Sequence, residues 1–144
     1  MKNEVWKDIS GYEGIYQISN YGNLKSLGRK YKKIDRRTNK EFIYFQKEKM
    51  LKPRIDKKGY LHYALNKDKK AKEFKAHRLV AEAFISNIEK KPQINHKDMN
   101  RQNNCVDNLE WCTNSENQKH SYKNNLNRKN FFKTNNPRKK ITIE

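Results

Sequence analysis

Between Gln93 and Tyr122 the chain runs through a short strand, a polar loop, a second short strand and a helix start, and that order leaves few folds open. Gln93–His96 and Leu109–Cys112 mix apolar with polar residues in the manner of short strands, and the residues between them are mostly polar. Thr113 followed three residues later by Glu116 is a capping box, so Asn114, Ser115 and Glu116 form the first helical turn and Asn117 opens the second. The helix is expected to run to about Tyr122 or Asn124. A hairpin followed by a capped helix is a ββα unit, which can hold one divalent cation between a strand end and the first turns of the helix.

Charge narrows the partner. The 144 residues carry a formal net charge of +18, with 33% hydrophobic and 35% charged residues. That points to nucleic acid first and to an anionic membrane surface second. No amphipathic helix with a broad apolar face accompanies the charge, which disfavours the membrane. The charge is also segregated. Residues 1–28 are neutral, residues 29–91 hold 21 Lys/Arg against 8 acids, residues 92–118 are net −2, and residues 119–144 are net +7. A slightly acidic island between two basic flanks can grip a phosphate backbone on both sides and keep a cation in the middle. Two cysteines, Cys105 and Cys112, provide no disulfide framework. No apolar run reaches signal-peptide or transmembrane length, so a soluble, intracellular protein is expected.

Upstream of the ββα unit, residues 4–27 read as a small β module. Trp6, Ile9, Tyr12, Tyr16, Ile18 and Leu24 alternate with the turn signals Ser10-Gly11, Glu13-Gly14 and Asn20–Asn23. So short a segment cannot bury a core alone and must pack on residues further along the chain. Residues 29–58 are basic and weakly periodic, with one apolar run at Phe42–Phe45. Tyr60–Leu65 and Lys72–Ala76 predict a hairpin about a turn at Asn66–Lys70, after which Leu79, Val80, Ala83 and Phe84 switch to helical spacing within Ala76–Ile85. Beyond the last helix, residues 125–144 read as a loosely structured basic tail that Phe131-Phe132 would dock. The expected segments are thus 1–28, 29–75, 76–124 and 125–144.

Phosphodiester hydrolysis needs an activated water, neutralisation of transition-state charge and stabilisation of the leaving oxygen. His96 suits the first role, because a neutral imidazole accepts a proton near pH 7. Asn95 and Asn117 offer amide oxygens, hard ligands suited to Mg²⁺ or Mn²⁺ rather than to zinc. Asn108, just before the second strand, is placed to hydrogen-bond across the loop and hold the His96 backbone. Cys105 and Cys112 lie seven positions apart in a loop-strand context, which is poor zinc-site spacing.

Asn95–Asn100, Asn103-Asn104, Asn108–Trp111 and Glu116-Asn117 resemble the HNH endonuclease family, in particular its phage and intron homing branch. His77–Phe84 is similar to the helix that leads into that core. Glu4–Ile9, Gly14–Gly22 and Lys25–Leu27 separately resemble the nuclease-associated modular motif found ahead of such domains. The resemblance implies an α+β fold: a ββα-metal (HNH, His-Me finger) nuclease core with an N-terminal small antiparallel β module and a basic tail. It implies a metal-dependent DNA endonuclease in which His96 is the general base, Asn95 and Asn117 hold Mg²⁺ or Mn²⁺, and Asn108 is the structural asparagine. Two departures stand out. Asn95 occupies a position that is often Asp, which weakens metal affinity, and Met99 replaces a common Gly, which affects loop shape.

His120 lies one turn beyond Asn117 on the same helical face. A catalytic role beside the metal or the scissile phosphate and plain solvation both stay open for it. His77 is expected to be a buried, hydrogen-bonded packing residue, His62 a strand residue without chemistry, and Trp111 part of the core. Arg78, Lys97, Arg101, Lys119 and Lys123 are expected to position the phosphates of double-stranded DNA. No small-molecule cofactor is expected, the active form is a monomer or homodimer, and the setting implied is the cytoplasm of a phage-infected bacterial host. The competing reading is a catalytically inactive, regulatory DNA-binding protein on the same fold.

Overall fold

The computed structural model describes residues 3–134. Its first layer is a four-stranded antiparallel sheet ordered β1-β2-β3-β6, from β1 (Trp6–Asp8), β2 (Tyr16–Ser19), β3 (Leu24–Ser26) and β6 (Lys49–Leu51). Ile18 and Leu24 face each other across β2 and β3 and are fully buried. The partner that this short module needs comes partly from β6, which returns from the basic stretch to pair Leu51 with Leu24. Between β3 and β6 the chain leaves the sheet as a separate two-stranded ribbon, β4 (Arg29–Ile34) and β5 (Glu41–Gln46).

A second antiparallel sheet joins β7 (Arg54–Ile55), β8 (Leu61–Lys67) and β9 (Lys70–Lys75). The hairpin expected from the alternation at 60–76 is tighter than the sequence suggests. Its strands extend to Lys67 and Lys70, and the turn is only Asp68-Lys69, both at positive φ (50° and 61°). Two left-handed residues match the twist of the flanking strands, as a two-residue hairpin demands. α1 (Ala76–Phe84) follows directly and buries Ala76, His77, Leu79, Val80 and Ala81. The ββα unit then forms from β10 (Gln93–His96), β11 (Leu109–Cys112) and α2 (Asn114–Thr134), with a 3-10 turn at Val106–Asn108 before β11.

One core serves all of these elements. Ile9, Tyr16, Ile18 and Leu24 of the N-terminal module pack with Tyr63 and Leu65 of β8, with Leu79 and Val80 of α1, and with Leu109 of β11. The capping box closes as read: Thr113 N–H donates to Glu116 Oε2 at 2.8 Å, and Glu116 N–H donates to Thr113 Oγ1 at 3.2 Å. The helix does not stop near Tyr122 or Asn124. It continues through Thr134, so the expected tail is helical over its first ten residues. No Gly or Pro interrupts 114–134, and Asn alone lowers helix propensity without breaking a helix. The expected docking of Phe131-Phe132 and the final ten residues lie outside the described residues and side chains. Among the described residues, no helix is long and apolar enough to cross a membrane.

Candidate active site

The pleat of β10 sends successive side chains to opposite faces, and this decides what each site residue can touch. Gln93 and Asn95 face α2: Asn117 Nδ2 donates to Gln93 Oε1 at 2.8 Å, and Asn95 Nδ2 donates to Glu110 Oε1 at 2.9 Å from the directly opposed position on β11. Both amide nitrogens are therefore committed to a neighbour, and each amide is held in one orientation with its oxygen left over as an acceptor. His96 faces the other way, into α1 and the β10–β11 loop. At the strand end the two sets converge. A cavity of about 280 Å³ is lined by Asn95, His96 and Asn117 together with Tyr60 and Arg101.

His96 is buried, and its Nε2 lies 2.9 Å from Asn104 Oδ1. An amide oxygen only accepts, so with Asn104 in this orientation Nε2 is the donor and Nδ1 is the nitrogen left to accept a proton. The imidazole is also packed edge to face on His77, with ring centroids 5.1 Å apart, while Tyr60 tilts over both rings at 5.2 and 6.1 Å. His77 is buried as the sequence predicts, and its Nδ1 has no hydrogen-bond partner among the described residues. Burial, aided by the neighbouring His96 ring and the Lys75 ammonium, pushes its pKa down to about 3, so it is a neutral ring at physiological pH. His62, expected to be inert, ties the β7–β8 connection by placing Nε2 2.8 Å from Asp56 Oδ2.

The loop between the strands is built on Asn108 and Asp98. Asn108 Oδ1 accepts Asp98 N–H at 3.0 Å, and its Nδ2 donates to Asp98 Oδ1 and to Asn103 O. Its backbone oxygen accepts Lys97 N–H at 2.9 Å. The expected geometric role thus falls on the residues immediately after His96. Asp98 also accepts from Asn103 Nδ2 and from Asn100 N–H at 2.8 Å each. Those bonds, the Asn103 amide foremost, hold its carboxyl below the usual range and occupy the lone pairs a metal would use. Met99 sits at φ 64°, the left-handed conformation that a Gly adopts without strain.

The remaining predicted residues are placed variously. His120 is not on the cavity that His96 and Asn117 line. It borders an adjoining one with Asn95, Glu110 and Glu116, and Asn124 Nδ2 donates to its backbone oxygen at 2.8 Å. Arg78 donates to Pro92 O at 2.9 Å and Lys97 to Asp107 O at 3.3 Å. Arg101 lines the cavity, caps the Tyr60 ring at 4.9 Å and donates to Lys58 O at 2.6 Å. Lys119 and Lys123 stand exposed on α2. Cys105 and Cys112 are free thiols, raised in pKa mainly by burial. Asn104 and Glu110 fall inside the motifs that carry the family resemblance, without a role implied there, and Tyr60 and Gln93 carry no sequence signal that singles them out as site residues. Pairing in register across β10 and β11 could have found Glu110, whereas Tyr60 arrives from the start of β8.

A strand-end histidine on a two-stranded hairpin, with an asparagine on the first turns of a capped helix beside it, defines the ββα-metal class of nuclease folds. Residues 74–119 match the family model of the HNH endonucleases and residues 4–66 that of the NUMOD4 motif. The chain belongs to the HNH endonuclease family, with a NUMOD4 motif ahead of the HNH segment. It is 40% identical over 108 residues to the DNA endonuclease I-HmuI of Bacillus phage SP01, covering 75% of this chain and 52% of that protein. It is 45% identical over 75 residues to an uncharacterised HNH endonuclease of Acanthamoeba polyphaga mimivirus, covering 52% and 23% of the two chains. The solved structure of DNA binding and cleavage by the HNH homing endonuclease I-HmuI superimposes with a TM-score of 0.61 at 38% identity, covering 86% of this chain and 59% of that one. The chain therefore spans about half the length of the phage endonuclease.

Proposed function

We propose that the protein is a metal-dependent DNA endonuclease of the homing type, with His96 as general base, Asn95 and Asn117 as metal ligands and Asn108 as the residue that shapes the loop. The observation that carries this reading is the oriented set itself: an imidazole with its Nε2 committed to Asn104, beside two amides whose nitrogens are committed to Glu110 and Gln93. Amide oxygens are hard, neutral donors, and this donor set fits Mg²⁺ or Mn²⁺ better than zinc. When bound, such a cation stabilises charge on the phosphate and on the departing oxygen. The chain's own residues do the rest. His96 Nδ1 takes the proton of the attacking water, Asn104 stabilises the imidazolium that results, and Tyr60 and His77 keep the ring from rotating. Arg101 offers its guanidinium to a phosphate at the mouth of the cavity.

Double-stranded DNA is the substrate that the charge and the relatives favour, and the setting is the interior of an infected host cell. One chain carries one complete candidate site, so each encounter cuts one strand, and a double-strand break requires two chains. The test is supercoiled plasmid with Mg²⁺ or Mn²⁺, comparing wild type with His96→Ala. Nicking by the wild type and a fall of about 10²–10⁴-fold in the variant are expected. A variant that cuts at the wild-type rate overturns the base assignment. A wild type that binds duplex and never nicks, with either metal, overturns the enzyme reading in favour of a DNA-binding protein.

A further inference from the structure

Asn95 and Asn117 both donate through the amide nitrogen and keep the oxygen, but the groups that accept from them differ in charge. Asn117 Nδ2 meets the neutral Gln93 Oε1, whose own nitrogen donates to Asn114 Oδ1 at 3.3 Å. Asn95 Nδ2 meets a carboxylate, Glu110 Oε1, at 2.9 Å from the directly opposed position on β11. A carboxylate has no N–H to offer in exchange, so this pair has one arrangement: amide nitrogen toward Glu110, amide oxygen away from it. Asn95 is 6% exposed and Glu110 is half-buried, so solvent screens the contact little.

Glu110 does not border the cavity that His96 and Asn117 line. It faces the adjoining one, with Lys91, Glu116 and His120, and Asn95 borders both. Whatever Glu110 does for the first cavity, it does through Asn95. The lysine beside it is already committed: Lys91 Nζ lies 3.2 Å from Glu89 and 3.2 Å from Glu116. Among the described residues, no Lys, Arg or His forms an ion pair with Glu110. The chain has 34 Lys/Arg against 16 Asp/Glu, so cations are plentiful. A half-buried carboxylate left without one points to a cation from outside the chain.

We propose that Glu110 is a positioning residue for the metal, supplying through the Asn95 amide the negative charge that an Asp at position 95 would carry itself. The inference rests on the reading of Asn95 as a metal ligand and names the group that strengthens so neutral a ligand. The hydrogen bond aims the Asn95 oxygen away from β11. Donation to a carboxylate also favours the charge-separated form of the amide, which puts more negative charge on Oδ1. Asn117, paired with a neutral amide, gains orientation alone.

The experiment measures Mn²⁺ uptake by the full chain, from loss of the free-ion electron paramagnetic resonance signal, beside the Mn²⁺ dependence of nicking. Glu110→Gln keeps the shape of the side chain and removes its charge, and circular dichroism checks the fold. It is expected to weaken Mn²⁺ binding about 10–100-fold and to raise the Mn²⁺ needed for half-maximal nicking in step. Adding Asn95→Asp to that variant moves the charge onto the ligand itself. The double variant is expected to recover Mn²⁺ affinity to within about threefold of wild type. Glu116→Gln removes a carboxylate that borders the same cavity as Glu110 yet still closes the capping box, as Gln can. It should change Mn²⁺ affinity by less than about threefold. Unchanged Mn²⁺ affinity in Glu110→Gln overturns the inference and leaves the nuclease reading intact. An equal loss in Glu116→Gln also overturns it, since the effect would then be one of summed charge. A double variant as weak as Glu110→Gln alone overturns it too, by reducing Glu110 to a strand-pairing residue. A wild type that neither takes up Mn²⁺ nor needs a divalent ion to nick overturns the metal reading, and the inference falls with it.

Discussion

His77 is the most heavily penalised titratable group described, and its burial makes a measurable pH dependence. It is 7% exposed, has no partner for Nδ1 among the described residues, and its pKa falls to about 3 from an ordinary 6.5. A histidine depressed on folding stays neutral in the native state while the unfolded chain binds its proton. Its contribution to stability is therefore complete above about pH 6.5 and is lost as the pH falls towards 3. Taking those two values, linkage predicts a loss of about 2.5 kcal/mol between about pH 7 and about pH 4.5 from this residue alone. His77→Phe keeps an aromatic ring against His96 and removes the titration. Urea unfolding followed by tryptophan fluorescence at several pH values should give a wild-type curve that steepens below about pH 6.5 and a variant curve flatter by about that amount. The carboxylates held low, Asp56 at about 2 among them, act mostly below this window and are common to both proteins. Parallel curves for wild type and variant across that window would refute the argument.

Three further outcomes test the site and its supports. Asn104→Ala removes the acceptor that fixes the His96 tautomer, and should lower the nicking rate about 10–100-fold with DNA affinity within about twofold, measured by single-turnover cleavage and anisotropy. Gly22→Ala places a Cβ 2.9 Å from Asn104 Cβ at φ +84°, so a loss of about 1–3 kcal/mol in chemical unfolding is expected, with a fall in nicking at temperatures where the fold persists. Thr113→Ala opens the capping box and should cost about 1 kcal/mol in the same assay while leaving DNA affinity unchanged.

Local signals made the ββα unit legible. The capping box fixed where α2 begins, and strand alternation alone puts Asn95 and His96 on opposite faces of β10. The features that stayed hidden in the sequence are arranged by tertiary contact. Asn104, Tyr60 and His77 meet at His96 from a loop, the approach to β8 and a helix, and no spacing rule joins positions so far apart. The length of α2 escaped because its Asn-rich second half reads as a tail, though nothing in it breaks a helix. The turn within 66–70 was legible, but its reduction to Asp68-Lys69 escaped because neither residue is Gly. The basic stretch concealed a ribbon because Lys at most positions of β4 masks the alternation that Phe42–Phe45 only hints at.

The NUMOD4 and HNH segments are distinct as motifs and yet share one support for the catalytic loop. Val106 N–H donates to Asn20 O at 2.9 Å, Tyr63 OH donates to Gly22 O at 3.0 Å, and Gly22 lies directly under Asn104. The residue that orients His96 is thus seated on the first sheet. Six of the ten buried residues in the core cluster (Ile9, Tyr16, Ile18, Leu24, Tyr63 and Leu65) precede residue 74. At about 1.5–3 kcal/mol for each large apolar side chain buried, losing their contacts costs about 9–18 kcal/mol, as large as the whole margin of roughly 5–15 kcal/mol by which a domain is stable. A fragment of residues 74–134 should therefore be unfolded by circular dichroism and by amide dispersion in NMR, and should recover a dispersed spectrum when residues 3–73 are supplied in trans. Cooperative unfolding of the isolated fragment would show instead that the HNH segment carries its own core and that the first sheet is an accessory.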